Sequence, residues 1–197
     1  MALSGTEWSP EQWGTLAART QAGVSACASD TEAWQVAVRD ARHILRNYST
    51  SFFIVTRFLP RAKREQVEVI YAAVRYPDEI VDTFDWDEAR KLGALKSWAG
   101  HYETALRAPS LRVASGAGVP VITAAFADVV RQNEIPEEHY RDFLRAMRLD
   151  VCPRPFESLT DLIDSYIYGS AIVVGYFLAY VYGPSRPEEF PRALSSA

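Results

Sequence analysis

The sequence has 197 residues, of which 48% are hydrophobic and 23% are charged, and its formal net charge is −4. This length and composition predict one globular domain with a sizeable core. The acidic balance and the lack of a basic stripe argue against a nucleic-acid partner. Cys27 and Cys152 form no metal-binding pattern, and the first residues do not resemble a secretory signal, which favours a cytoplasmic location.

The chain is predicted to be all-α. Residues 1–30 are interpreted as an N-terminal extension with a short packed segment and a following loop, and residues 31–197 as one helical domain. The first helix of that domain is predicted to start after a cap at Asp30 or Thr31. Its apolar face recurs at helical spacing, at Trp34, Val38, Ala41, Leu45 and Tyr48.

Further helices are expected over 64–76, 87–106, 121–132 and 136–150 by their apolar period. The glycines and proline of RVASGAGVP, 112–120, predict a loop. Ser158 and Asp161 resemble a capping pair at the start of a last long helix. The most apolar run, Ile167–Gly183, is slightly too short for a membrane span, so it is expected to be a core helix.

The stretch YAAVRYPDEIVD, 71–82, gathers three carboxylates behind a proline. In one interpretation Pro77 opens a helix whose first turn favours acidic residues. In the other, the helix continues through Pro77 and places a polar stripe on one face. That stripe would consist of Tyr71, Arg75, Asp78 and Asp82. Because carboxylates one turn apart can reach the same cation, the second interpretation predicts a Mg²⁺ and phosphate site.

This stretch resembles the first aspartate-rich motif of the squalene/phytoene synthase family, Tyr-Ala-x-x-Arg-x-x-Asp-Asp-x-x-Asp. Glu79 stands where the family has its second aspartate, and Pro77 is a further departure. Other elements are similar to those of the family and occur in the same order, so that the resemblance covers about Ile44 to Gly183. These elements are Tyr48–Phe52 with Leu59 and Pro60, Met147–Asp150, and Tyr166–Gly175.

The resemblance implies an isoprenoid-synthase-like helical bundle that joins two prenyl diphosphates, farnesyl or geranylgeranyl, head to head in isoprenoid and carotenoid biosynthesis. Arg75, Asp78 and Asp82 would be catalytic. Mg²⁺ would be held by Asp78, Glu79 and Asp82, and it would stabilise the departing diphosphate. NADPH would be used only if the product is squalene. The implied substrate-binding residues are Ser49, Ser51, Phe52, Tyr71, Tyr166, Ala171, Val174 and Gly175.

Several of these residues also have an ordinary structural interpretation. Ser49 and Ser51 can simply end one helix and begin the next turn. Val174 can belong to the core, and Gly175 can serve close helix packing. The three histidines of the sequence show no ligand spacing, so none is assigned a role.

Family members also carry a second aspartate-rich motif on a later helix, which this sequence lacks. The chain is therefore expected to be truncated at its C-terminus. Two interpretations remain open: the front part of a synthase that needs the missing helices, supplied for instance by a second polypeptide, or a non-catalytic helical module that binds prenyl lipids or a partner. Apolar substrates are also compatible with peripheral membrane contact.

Overall fold

The computed structural model describes residues 8–183 and 187–194. Helices form nearly all of these residues, and no β-strand occurs among them, which confirms the all-α prediction. The first eight helices are α1 Pro10–Ser25, α2 Asp30–Tyr48, α3 Thr50–Thr56, α4 Arg61–Asp82, α5 Glu88–Arg107, α6 Leu111–Gly116, α7 Val121–Gln132 and α8 Glu137–Val151.

A continuous helical segment, Leu159–Tyr182, is called the apolar helix below. It consists of α9 Leu159–Leu162, a π-helix over Ile163–Ile172, and α10 Val173–Tyr182. Ser158 caps its start by accepting a hydrogen bond from the Asp161 N–H, as the capping pair predicts. A 3₁₀ turn, Pro187–Glu189, and α11 Phe190–Leu194 follow. A π-helix of ten residues is unusual, because this geometry mostly occurs as single-turn bulges.

The structure differs from the predicted elements at several places. Ser29, rather than Asp30 or Thr31, caps α2 by accepting a hydrogen bond from the Glu32 N–H. α1 extends to Ser25, into residues predicted as a loop. α3 occupies the residues that interrupt the helical pattern after Tyr48. α6 lies within the predicted loop 112–120, because burial of Leu111 and Ala114 outweighs the weak helix propensity of glycine there. The chain turns only afterwards, at Gly118, whose φ is 87°.

The chain divides into two compact units, Met1–Tyr76 with Gly100–Val129, and Pro77–Ala99 with Val130–Ala197. In the first unit, α1 and α6 pack on α2. The buried carboxylate of Asp40 ties α1 to α2. Its Oδ1 accepts a hydrogen bond from Arg19 at 3.1 Å and its Oδ2 accepts one from Thr20 at 2.7 Å. Of the predicted apolar face of α2, Val38, Ala41 and Leu45 are buried.

In the second unit, α8 packs against the π-helix and α10. One stripe of the apolar helix is buried, namely Gly169, Val173, Phe177 and Val181. An added Cβ at Gly169 would lie 2.6 Å from the backbone oxygen of Asp142 and 2.8 Å from the Cβ of Ala146. Glycine therefore permits the close approach of the two helices at this point.

The apolar helix is long and apolar enough to cross a membrane by length and composition alone. Only 17% of its most apolar window is buried, so most of it is not the core helix expected from the sequence. One helix of this kind is weak evidence for a membrane span, because core helices of other proteins have the same composition.

Candidate functional site

The carboxylate-rich stretch forms the second half of α4. The helix continues through Pro77 to Asp82, so the interpretation of Pro77 as a helix start is wrong. A proline inside a helix lacks the N–H that would bond the carbonyl of residue i−4, which makes this an unusual position. The continuous helix places four polar side chains on one face, at i, i+4, i+7 and i+11. These are Tyr71, Arg75, Asp78 and Asp82.

Tyr71 and Arg75 belong to the first unit, because the boundary between the units falls after Tyr76. Both side chains contact aromatic rings there. The ring centroids of Phe52 and Tyr71 are 5.9 Å apart. The guanidinium carbon of Arg75 lies 4.4 Å from the centroid of the Tyr48 ring. Such a cation–π contact contributes about 0.5–2 kcal/mol and restricts where the guanidinium can lie.

Ser49 ends α2 and begins α3. Its Oγ accepts a hydrogen bond from the backbone N–H of Phe52 at 3.4 Å. The helix-capping interpretation of Ser49 is therefore confirmed. The hydroxyl hydrogen is not used in that bond, so Ser49 retains a donor for a ligand oxygen. Ser51 lies in the first turn of α3 and is exposed.

The three carboxylates of the motif, in the second unit, differ in burial. Asp78 is half-buried, Glu79 is completely buried, and Asp82 is exposed at the end of α4. Only Asp78 and Asp82 therefore present a carboxylate that solvent, a metal ion or a substrate can reach. The role of Glu79 as a ligand stays a prediction, and its burial favours a structural role.

Two residues from the C-terminal half of the chain, Asp150 and Tyr166, are in contact in the second unit and are influenced by the charge of Asp82. The Tyr166 hydroxyl donates a hydrogen bond to Asp150 Oδ2 at 3.1 Å. Partial burial raises the pKa of Asp150; the Tyr166 hydrogen bond opposes this, and the negative charge of Asp82 adds to it. Burial also raises the pKa of Tyr166, with contributions from Asp150 and Asp82. The second unit therefore brings Asp150 and Tyr166, from two separate sequence elements, into contact.

The predicted apolar wall residues lie on the apolar helix. Ala171 is exposed, whereas Val174 and Gly175 are half-buried. None of them belongs to the buried stripe that packs in the core of the unit. Their contact with an apolar substrate stays a prediction.

Two residues of this region were not among the predicted site residues. Tyr48 supports Arg75, and Asp150 binds Tyr166 beside Asp82. Both lie inside elements that carry the family resemblance, Tyr48–Phe52 and Met147–Asp150. Their position in those elements could have identified them as site residues from the sequence. Their contacts join distant parts of the chain and follow from no local pattern.

The carboxylates of the motif are potential ligands for Mg²⁺. Within residues 8–183 and 187–194, no group of three or more His, Cys, Asp or Glu side chains is arranged to hold a metal ion. Asp78 and Asp82 are nevertheless accessible carboxylates one turn apart on α4, and the charge of Asp82 acts on Asp150. Mg²⁺ prefers oxygen ligands and is commonly held by one or two carboxylates, waters and substrate phosphates. These carboxylate donors are chemically suited to Mg²⁺. The binding of Mg²⁺ by this chain stays a prediction.

Known proteins similar to this chain were found by two comparisons. The family model for squalene/phytoene synthase matches residues 45–197. A phytoene synthase of Arthrospira platensis is 24% identical over 75% of this chain and 44% of its own length. A 15-cis-phytoene synthase of Synechococcus elongatus is 26% identical over 76% of this chain and 44% of its own length. One from a Paracoccus species is 28% identical over 68% of this chain and 43% of its own length.

The chain spans less than half the length of these curated relatives. The family match nevertheless covers most of the chain, including the stretch 71–82 and the helix that contains Tyr166–Gly175. The all-α structure agrees with the isoprenoid-synthase-like bundle that the resemblance implied. This chain belongs to the squalene/phytoene synthase family.

Proposed function

We propose that this chain carries the first metal- and diphosphate-binding half of a prenyl transferase that condenses two prenyl diphosphates head to head. The observation that carries the proposal is the hydrogen bond between Tyr166 and Asp150 in the second unit, and the charge of Asp82 raises the pKa of both groups. These residues come from the first aspartate-rich motif, the Met147–Asp150 element and the Tyr166–Gly175 helix. The elements of Asp150 and Tyr166, which both resemble the family in sequence, are thus also in contact.

In this proposal, the polar residues hold the diphosphate. Arg75 presents a guanidinium, whose planar donors match phosphate oxygens in geometry and charge. Ser49 and Ser51 donate hydroxyl hydrogen bonds to the same group. Asp78 and Asp82 would hold Mg²⁺, which neutralises negative charge on a leaving diphosphate.

The Asp150–Tyr166 pair sets the orientation of polar groups beside Asp82. The Tyr166 hydroxyl is fixed as a donor to Asp150, and it also interacts with the side chain of Ser170. The aromatic and aliphatic residues surround the prenyl chain and exclude water from the carbocation that forms when the carbon–oxygen bond breaks. The residues proposed for this wall are Phe52, Tyr71, Ala171, Val174 and Gly175.

The test is a calorimetric titration with a non-reactive thio analogue of farnesyl diphosphate, with and without Mg²⁺. We expect Mg²⁺-dependent binding that is lost in Asp78→Asn. Asp85→Asn is the matched control, because Asp85 is an exposed aspartate just beyond α4. This variant should bind as the parent does.

Other outcomes separate the alternatives. Binding that needs neither Mg²⁺ nor Asp78 would contradict the metal site and favour a lipid-binding module. A folded chain that binds no analogue would contradict the proposal that this part of the protein holds the diphosphate by itself.

A further inference from the structure

A cavity of about 270 Å³ in the first unit is lined mostly by arginines. We call it the arginine pocket, and it is formed by α2 and the start of α4. Its polar lining residues are Gln35, Arg39, Arg42, Arg61, Arg64 and Glu65. The geometry points to a binding site for a phosphate group, separate from the diphosphate site proposed above.

The arginine pocket has an excess of positive charge. Three carboxylates in this region are buried: Asp40, Glu65 and Glu68. Their ion-pair partners are Arg19 and Arg39 for Asp40, Arg61 for Glu65, and Arg42 and Arg57 for Glu68. With Arg64, six arginines thus accompany three carboxylates. Positive charges therefore outnumber negative charges in this region, although Arg19 and Arg57 do not line the pocket and the chain as a whole has a net charge of −4.

Several donors in the arginine pocket have no protein partner. The Nε of Arg64 is buried without a hydrogen-bond partner, and no ion pair of Arg64 occurs among the residues that the structure describes. In the same part of the chain, the side-chain hydrogen bonds of Arg39 and Arg42 come from Nε alone, to Asp40 and Glu68. Their terminal guanidinium nitrogens are therefore available to an added ligand.

The chemistry of these donors selects the ligand. Guanidinium groups present paired N–H donors that match the oxygens of a phosphate, and they carry their charge at every physiological pH. Ligand pockets for drug-sized molecules usually have volumes of about 300–1,000 Å³, so a cavity of this size suits one or two phosphate groups better than a whole prenyl chain.

The arginine pocket also lies away from the proposed diphosphate site. Arg64 precedes Arg75 by eleven residues on α4, which corresponds to about 16 Å along the helix axis. The two arginines are thus three helical turns apart, and Arg75 does not line the arginine pocket. The phosphate could belong to a free anion or to the headgroup of an anionic phospholipid, and the experiment below distinguishes these sources.

The first experiment titrates the chain with inorganic pyrophosphate in the presence of EDTA, which chelates divalent cations and so prevents metal-dependent binding. We expect Arg64→Gln to weaken binding at least tenfold. Arg107→Gln removes the same charge from an exposed position outside the pocket and should leave the affinity unchanged. Circular dichroism of each variant verifies that it is folded.

The second experiment measures sedimentation with vesicles of phosphatidylcholine containing phosphatidylglycerol. Vesicle binding that needs Arg64, without pyrophosphate binding, would identify a lipid headgroup as the ligand. Equal behaviour of the parent and folded Arg64→Gln in both experiments would overturn the inference, as would an equal loss in Arg107→Gln. Neither result bears on Mg²⁺-dependent binding of the prenyl analogue, so the two proposals fail independently.

Discussion

The guanidinium carbon of Arg75 lies 4.4 Å from the centroid of the Tyr48 ring, at the end of a chain of contacts that begins in α1. The same ring also stacks with the ring of Trp13, at a centroid distance of 5.9 Å. The Tyr48 hydroxyl also accepts hydrogen bonds of 3.1 Å from the indole N–H of Trp13 and the backbone N–H of Trp8. The segment predicted as an N-terminal extension thus supports a residue of the candidate site.

Substitution of Tyr48 should separate stability from binding. Tyr48→Phe leaves two donors without their acceptor, so we expect a loss of about 1–2 kcal/mol in the free energy of unfolding, with little change in affinity for the prenyl analogue. Tyr48→Leu also removes the ring beneath Arg75 and should weaken analogue binding. Urea unfolding and calorimetry measure the two effects. Equal analogue affinity in both variants would contradict a positioning role for the ring.

Close packing at Gly169 gives a second prediction. Gly169→Ala would place a methyl group 2.6 Å from a backbone oxygen of α8, so we expect a loss of about 1–3 kcal/mol in the free energy of unfolding. Gly93→Ala in α5 is the matched control, because an added Cβ there meets no atom within 4 Å. This variant should be neutral or more stable by up to about 1 kcal/mol. Similar urea midpoints for the two variants would show that the helices can separate at Gly169 without cost.

The sequence predicted most helices because their apolar faces recur at helical spacing. Val38, Ala41 and Leu45 were recognised in this way and are buried in α2. α6 was missed, because its glycines signal a loop and its helix is stabilised by burial of Leu111 and Ala114 against other elements. Local propensity contains no information about that burial.

The candidate site was predictable only in part for the same reason. The polar stripe on α4 follows from spacing once the helix is known to continue through Pro77. The hydrogen bond between Asp150 and Tyr166 depends on how α8 and the apolar helix pack, which no single segment encodes. Family resemblance identified the elements, and the structure showed which of their side chains meet.

Replacing the carboxylates of Asp82 and Glu79 by neutral amides should have different effects on Mg²⁺-dependent binding and on stability. Asp82→Asn removes an exposed carboxylate, so we expect weaker Mg²⁺-dependent binding of the prenyl analogue with little change in stability. Glu79→Gln alters a completely buried side chain and should lower the free energy of unfolding by about 1–3 kcal/mol. Mg²⁺-dependent binding should survive in this variant. Loss of that binding in a Glu79→Gln chain of parental stability would instead identify Glu79 as a ligand.

The raised pKa of Asp150 predicts a pH-dependent stability. Burial, together with the charge of Asp82, makes protonation of Asp150 easier in the folded chain than in the unfolded chain. The contribution of protonated Asp150 to the free energy of unfolding is therefore complete below the ordinary pKa of an aspartate. It is lost as the pH rises through the raised pKa of Asp150 in the folded chain. Asn cannot ionise and can still accept the Tyr166 hydrogen bond. Asp150→Asn should thus raise the urea midpoint at pH 7, and this advantage should shrink as the pH falls towards 4. A midpoint difference that is constant from pH 4 to pH 7 would contradict this linkage, because a purely structural effect of the amide has no proton dependence.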